Sequence, residues 1–220
     1  TDTVTPAGSH DKLFERFRNE NIPIMVGTQM VTKGLNFPNV TLVGVISADQ
    51  SLYAGDYRAG ERTFSLITQV VGRSGRGDKP GRAVIQSFTP ENETIRYAAE
   101  QDYESFFDSE IELRRIQDAP PFKDIFSLTV TGMVEEQVEI ACAYLSKWLK
   151  NICEGKPDIK ILGPAPLPVV RVNNRYRYRI NICCTSNPWI RRVLSEIMRE
   201  CGTDKKFKGI SVFADNAPVE

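Results

Sequence analysis

Residues 40–48 read Val-Thr-Leu-Val-Gly-Val-Ile-Ser-Ala, an apolar run rich in β-branched side chains. Residues 22–26 form a shorter run of the same kind, and both runs are bounded by Gly, Pro or Asn. Continuous apolar runs of this length suit strands covered on both faces, as in a parallel sheet. Helical spacing over residues 60–73 and a β-rich run at 82–88 continue the alternation. The first half is therefore predicted to be an α/β layer around a parallel sheet.

A second pattern begins at the double proline Pro120-Pro121. Because proline disfavours helix in the residue before it, we predict a domain boundary here, with domains at residues 1–118 and 119–220. The second domain is predicted to have the order β-α-β-β-α-β of a ferredoxin-like, split βαβ α+β fold. Its predicted elements are strands at 126–131, 159–162, 175–184 and 209–214 and helices at 135–152 and 187–202, with the proline-rich stretch 163–168 as a connection.

The composition excludes several classes of protein. A chain of 220 residues, 41% hydrophobic and 25% charged, is neither a disordered tail nor a fibrous repeat. The 28 basic and 28 acidic residues cancel, so the total charge favours neither a nucleic-acid nor a membrane partner. Residues 160–208, however, hold 11 basic and 3 acidic residues, which predicts a local basic surface. No apolar run is long enough to predict a membrane span.

The cysteines predict neither a disulfide framework nor a metal site. There are five, with no C-x-x-C pair, and the one histidine, His10, lies far from them in sequence. A reducing cytoplasm is the expected compartment. The chain does not begin with Met and opens on a loop-like sequence, so we expect it to be a fragment of a longer protein.

Two arginines follow the helical segment in the sequence Gly72-Arg73-Ser74-Gly75-Arg76-Gly77. Glycine allows close approach of the backbone to a ligand, and each guanidinium group can bind phosphate oxygens through two hydrogen bonds. The alternative is a surface turn with solvated arginines. Gln69, one helical turn before Arg73, favours the phosphate-binding interpretation.

Period-two alternation in residues 175–182 separates two faces of a strand. Arg175, Arg177, Arg179 and Asn181 share one face, and we call this set the basic face. It is a candidate surface for DNA phosphates, and the alternative is a solvated arginine ladder without function. The further candidates are Arg171, Arg191, Arg192, Lys205, Lys206 and Lys208, with Tyr176 as a side chain for base stacking.

The motifs together resemble a known family. Gly-Thr-Gln-Met at 27–30, Lys33-Gly34 with Phe37-Pro38, and the segment 69–77 resemble motifs V and VI of superfamily 2 helicases. With Asp49, Arg58, Glu61-Arg62 and the segments 120–122, 162–166 and 175–178, the chain resembles the PriA family of replication-restart DNA helicases over nearly its whole length.

The resemblance implies roles for individual residues. The first domain would be part of the second RecA-like lobe of the helicase, in which Arg73 and Arg76 contact the γ-phosphate of ATP and Gln69 orders that contact. Asn36 stands where many relatives have an acidic residue, so a role that needs a carboxylate there is in doubt. The block that couples the ATP cleft to DNA would contain Gly27, Thr28, Gln29, Lys33 and Gly34.

The chain has no G-x-x-x-x-G-K-[ST] sequence. The resemblance therefore implies that the ligands of ATP and Mg²⁺ lie mostly outside it, that a zinc module precedes residue 1, and that the isolated chain does not hydrolyse ATP. The implied function is ATP-dependent 3′-to-5′ unwinding at stalled or branched forks, followed by primosome assembly. The implied partners are forked and single-stranded DNA, single-strand DNA-binding protein and other primosome proteins, for a cytoplasmic, nucleoid-associated monomer. Two alternatives stay open at this point: a non-enzymatic binding module, or a lobe of another superfamily 2 helicase or translocase.

Overall fold

A computed structural model describes residues 9–20, 22–28, 40–53, 55–72 and 80–216. The chain divides into two compact units, Thr1–Asp108 and Ser109–Glu220, which we call the first and second units. The division falls inside a helix, α4 (Tyr103–Ile116). The domain boundary that we place after residue 118 stays a prediction.

The first unit is an α/β layer, as predicted. Strands β1 (Leu42–Val45) and β2 (Arg82–Ile85) pair in parallel, with Leu42 opposite Arg82 and Val45 opposite Ile85. The remaining elements are α1 (Ser9–Asn19), a 3₁₀ helix (Ala48–Ser51), α2 (Ala59–Val71), α3 (Glu93–Glu100) and the first part of α4. The predicted helix at 60–73 thus corresponds to α2.

One face of this sheet carries the core of the first unit. Val45 and Ile85 pack against a buried cluster that includes Phe64 and Ile67 of α2. The ring of Phe64 also stacks on Phe106 of α4, with centroids 4.1 Å apart. Burial alternates along both strands because successive side chains of a strand point to opposite faces.

The strand predicted at residues 22–26 is absent. Residues 22–28 are irregular, and the side chain of Val26 is 89% exposed. Apolar composition alone does not make a strand, because a strand needs a neighbour for its backbone hydrogen bonds. Within the described part of the first unit, β1 and β2 pair with each other and residues 22–28 join neither of them.

The second unit has the predicted ferredoxin-like fold. Its four strands form an antiparallel sheet in the order β4-β5-β3-β6, with both helices packed on it. The elements are β3 (Asp124–Gly132), α5 (Glu135–Ile152), β4 (Lys160–Val172), β5 (Arg175–Cys184), α6 (Pro188–Thr203), a 3₁₀ helix (Lys205–Phe207) and β6 (Ile210–Asn216). Helix α6 begins as predicted, because the Asn187 side chain accepts a hydrogen bond from the Ile190 N–H and Pro188 occupies the first position.

We predicted that the proline-rich stretch 163–168 connects two strands. This prediction was wrong, because the stretch is part of β4. Proline lacks an N–H and is confined in sheets to edge strands and bulges. β4 meets both conditions, since it lies at the edge of the sheet and its register with β5 shifts between Leu162 and Ala165 and again between Pro166 and Arg171. Gly163 has φ +97°, and a Cβ there would lie 2.8 Å from the Arg179 carbonyl oxygen.

Candidate functional site

Only part of the helicase-like motifs lies in the described residues. Gly27 and Thr28 are exposed in the irregular segment that follows residue 22. Gln69 is exposed in the last turn of α2, and Gly72 ends that helix with its N–H donating to the Thr68 carbonyl oxygen at 3.0 Å. Arg73, Arg76, Gln29, Lys33, Gly34 and Asn36 lie outside the described residues.

Asp49 organises the carboxyl-terminal end of the β1–β2 sheet. Its buried carboxylate accepts hydrogen bonds from the Ser87 hydroxyl at 2.5 Å, the Phe88 N–H at 2.8 Å, and the N–H and hydroxyl of Thr89 at 3.2 and 2.7 Å. These donors, the Ser87 hydroxyl above all, hold the pKa of Asp49 well below its usual range. We call Asp49, Ser87, Phe88 and Thr89 the Asp49 network, which fixes the loop after β2 to the loop after β1.

Arg58 and Arg62, which belong to the family-like pattern, surround the start of α2. The Arg62 guanidinium forms an ion pair with Asp56 at 2.7 Å, and the other Asp56 oxygen accepts from the Arg58 N–H at 3.0 Å. The Arg58 guanidinium lies over the Tyr57 ring, 5.0 Å from its centroid. These contacts hold the entry to α2, the helix that carries Gln69.

The alternation predicted for β5 is confirmed. Tyr178, Ile180 and Ile182 are buried in the core of the second unit, while the residues of the basic face are partly exposed. Across the sheet, Arg177 pairs with Thr131, Arg179 with Thr129 and Asn181 with Ser127. Because directly opposite residues of an antiparallel pair share a face, the basic face continues onto polar side chains of β3.

The arginines of the basic face differ in their contacts. The Arg175 guanidinium donates to the Thr131 hydroxyl and carbonyl oxygen, each at 3.2 Å, and to the Ser211 hydroxyl at 2.9 Å. It therefore joins three strands and has a structural role. The Arg177 guanidinium makes no hydrogen bond or ion pair with any residue that the structure describes, which leaves its charge available to a ligand.

Tyr176 lies on the opposite side of β5 from the arginines. It is partly buried against the core, and the Arg171 guanidinium lies over its ring, 5.2 Å from the centroid. Tyr178 is more buried still, and its hydroxyl donates to Glu139 at 2.6 Å and lies 3.2 Å from a Glu135 carboxylate oxygen. Neither ring is placed to stack on a base bound at the basic face.

The basic residues of and around α6 vary in the same way. Lys206 is engaged within the protein, with its ammonium group 3.1 Å from Glu200, 3.0 Å from Asp204 and 4.2 Å from the Tyr144 ring centroid. Arg191 donates to the Ser186 hydroxyl at 3.0 Å. The other candidates of this group are exposed: Arg192, Lys205 and Lys208.

Phe213 is a candidate that sequence reasoning missed. It lies on β6 opposite Thr129, which in turn lies opposite Arg179, so the three residues form one row across the sheet. Its ring is 57% exposed on the face shared with the arginines. The signal was available, because the alternation that predicts a strand at 209–214 places Phe213 on the face away from Val212.

The described residues contain no group of three or more His, Cys, Asp or Glu side chains arranged to hold a metal ion. No helix in the described part of the chain has the length and apolar character needed to cross a membrane.

Comparison with known proteins assigns both halves. Residues 2–78 match the helicase conserved C-terminal domain, and residues 115–218 match the primosomal protein N C-terminal domain. The chain therefore combines a C-terminal helicase lobe with a ferredoxin-like domain. It belongs to the PriA family of replication restart proteins.

Individual relatives agree with this assignment. The chain is 38% identical over 217 residues to the replication restart protein PriA of Bacillus subtilis (strain 168), a match that covers 99% of this chain and 27% of that protein. It is 36% identical over 180 residues to PriA of Synechocystis (strain PCC 6803), covering 82% of this chain and 21% of the relative. A third relative, PriA of Chlamydia trachomatis serovar D, is 48% identical over 132 residues, 60% of this chain and 18% of that protein. The matches thus cover between 18% and 27% of the length of these relatives.

Proposed function

We propose that the chain forms the C-terminal part of an ATP-dependent 3′-to-5′ DNA helicase that binds stalled or branched replication forks and restarts replication by primosome assembly. The observation that carries the proposal is the succession, in one chain, of a helicase C-terminal domain and the C-terminal domain of primosomal protein N. The first points to nucleotide-driven movement, and the second separates this chain from other superfamily 2 helicases.

The proposed ATP contacts are in the sequence segment 69–77. Arg73 and Arg76 stabilise the charge that develops on the transferring phosphoryl group, and Gln69 orders their approach. Gln69 is in the last turn of α2, and Gly72 ends that helix. ATP and Mg²⁺ take most of their ligands from the rest of the full-length protein. The zinc module belongs to that part too.

The proposed coupling block is at Gly27, Thr28, Gln29, Lys33 and Gly34, where hydroxyl, amide and backbone N–H groups hold the phosphates of the tracked strand. Exposure of Gly27 and Thr28 is consistent with such a contact.

The proposed DNA contact of the second unit is the basic face. Arg177 supports it most directly, because its guanidinium forms no ion pair or hydrogen bond with any described residue. Phe213 adds an exposed aromatic ring in the neighbouring row of the same sheet face. Arg192, Lys205 and Lys208 add exposed positive charge. Contacts of this kind bind phosphates without reading sequence, which suits a protein that recognises fork structure.

The proposed partners follow from the same role: forked and single-stranded DNA, single-strand DNA-binding protein and other primosome proteins. We propose that the full-length protein acts as a monomer in the cytoplasm, at the nucleoid.

The proposal is tested by Arg76→Ala in the full-length protein. DNA-stimulated ATP hydrolysis should be lost while DNA affinity changes little, since Arg76 contacts nucleotide and not DNA. Arg115→Ala is the control, because that exposed arginine pairs with Glu112 on the surface of α4. A normal rate of ATP hydrolysis by Arg76→Ala would show that Arg76 does not act in ATP hydrolysis.

Fluorescence anisotropy with forked, duplex and single-stranded DNA tests the second unit in the 220-residue chain. Preferential fork binding with a steep salt dependence is the expected result. A folded chain that binds none of the three would assign the basic face to a protein partner.

A further inference from the structure

Two aromatic rings are exposed at the carboxyl-terminal edge of the β1–β2 sheet. Tyr53 follows the 3₁₀ helix after β1, and Phe88 lies in the loop after β2. Their side chains are 70% and 81% exposed. Ligands of parallel α/β sheets generally approach this edge, because the loops that follow the strands meet there.

The same buried carboxylate holds the backbone that carries Phe88 and, through Thr89, lies close to Tyr53. The Phe88 N–H donates to Asp49 at 2.8 Å, so the backbone that carries the ring is fixed whatever its side chain contacts. The Tyr53 hydroxyl lies 3.5 Å from the hydroxyl of Thr89, which itself donates to Asp49 at 2.7 Å. Both rings are therefore carried by loops with an ordered backbone, so less conformational entropy is lost when a ligand binds them.

The chemistry of this edge suits a flat, uncharged group. Four donors occupy the Asp49 carboxylate, so its charge is turned inward. The nearby Gln86 side chain is also engaged, since its oxygen accepts from the Ser47 N–H at 3.0 Å. The rings of Tyr53 and Phe88 are exposed at this edge, and every nucleobase can stack on such a face whatever its sequence.

We propose that Tyr53 and Phe88 form a stacking site for the bases of single-stranded DNA, separate from the basic face of the second unit. The site rests on the proposed function, because it needs a single strand that reaches the helicase lobe. Through this site the lobe would bind the bases of the strand, while the coupling block binds its phosphates. The expected occupant is any base, without preference for sequence.

The test is the affinity of the full-length protein for two strands of equal length, one of oligo-thymidine and one of abasic residues. Phe88→Ala should weaken binding to oligo-thymidine by about tenfold, the scale of one lost base stack. It should leave binding to the abasic strand unchanged, because no phosphate contact is removed. Tyr53→Ala should behave in the same way.

Two further variants separate stacking from simple apolar contact. Phe88→Leu keeps an apolar side chain but removes the flat face, so it should lose affinity as Phe88→Ala does. Phe88→Trp keeps a flat face and should bind as the wild type does. Thermal unfolding should be the same for all Phe88 variants, since the exposed ring is not part of the core and the Asp49 network uses only the backbone of Phe88.

Three results would overturn the proposal. Equal loss on both strands would indicate a contact to phosphate or a change of structure, and wild-type affinity of Phe88→Ala on both strands would remove the site. If Phe88→Ala binds as the wild type does while Arg177→Ala lowers DNA affinity, the stacking site is wrong and the proposed function stands. A wild-type protein that binds neither strand would contradict the proposed function and the stacking site together.

Discussion

Asp49 and Thr89 meet through two hydrogen bonds, one from the Thr89 N–H at 3.2 Å and one from its hydroxyl at 2.7 Å, both to the same carboxylate oxygen. The contact joins the loops that follow β1 and β2. Parallel strands are connected only through long crossovers, so their carboxyl-terminal loops need a separate link to keep a fixed spacing. Asp49 supplies that link in the first unit.

Asp49→Asn should destabilise the first unit. The amide keeps one acceptor oxygen but turns an NH₂ group toward donors, so several hydrogen bonds are lost. We expect the midpoint of thermal unfolding at pH 7 to fall by roughly 5 °C or more. Asp108→Asn, at an exposed position of α4, should leave the midpoint unchanged.

The same variant predicts a pH dependence. The pKa of Asp49 is lower in the folded protein than its ordinary value of about 3.9. The carboxylate therefore contributes stability above about pH 4, and this contribution is lost as the pH falls through the folded pKa. The difference in stability between wild type and Asp49→Asn should be constant near neutral pH and shrink in acid. A difference that grows in acid would contradict this account.

Arg177 and Arg175 should respond differently to alanine. Arg177→Ala should weaken DNA binding and reduce the slope of log affinity against log salt by about 1, with no change in stability. Arg175→Ala should instead lower the unfolding temperature, because it removes the link among β3, β5 and β6. Anisotropy across a salt series and thermal unfolding of both variants check the prediction. Equal salt slopes for wild type and Arg177→Ala would remove that arginine from the interface.

Gly163→Ala should destabilise the second unit by about 1–3 kcal/mol. The backbone there has φ +97°, and an added Cβ would meet the Arg179 carbonyl oxygen at 2.8 Å. Gly202→Ala is the matched control, since nothing lies within 4 Å of a Cβ at that position in α6. It should be neutral or gain about 0.5 kcal/mol. Urea unfolding of both variants measures the difference, and equal stabilities would show that β4 relaxes around position 163.

The cysteines should be poorly reactive in the folded protein. Burial raises the pKa of Cys142 to about 12 and of Cys184 to about 11, so thiolate is scarce at pH 8. Cys201, which is only partly buried and has a pKa of about 11, should react first and slowly with iodoacetamide. Mass spectrometry should find all five cysteines labelled in guanidinium. Rapid labelling of Cys142 without denaturant would mean that α5 separates readily from the sheet.

Periodic patterns of the second half predicted its structure well, because each of its strands packs one face on a core within the same unit. Residues 175–182 show this most clearly, since Tyr178, Ile180 and Ile182 are buried as predicted. Residues 22–26 show the limit of the same reasoning. Their composition is that of a buried strand, but pairing decides whether a strand forms, and pairing is not written in local sequence.

The candidate site was harder to predict, because a charged side chain can serve the fold or a ligand. Arg175 and Arg177 are equivalent in the sequence pattern, and only their contacts separate them. Phe88 was placed at the end of the β-rich run 82–88 and Tyr53 in no predicted element, and neither exposed ring could be predicted because their exposure depends on loops fixed by the Asp49 network. Motif resemblance named Asp49 without assigning it a role.

The prolines of β4 have a consequence for synthesis of the chain. Pro164, Pro166 and Pro168 offer no N–H, and two shifts of register interrupt the strand further. A nascent β4 is therefore a poor template for strands of other chains on crowded ribosomes. Its productive partner is β5, which follows after a two-residue turn and can tolerate the same irregularities in register. The irregular strand thus favours pairing within its own hairpin over mispairing between molecules.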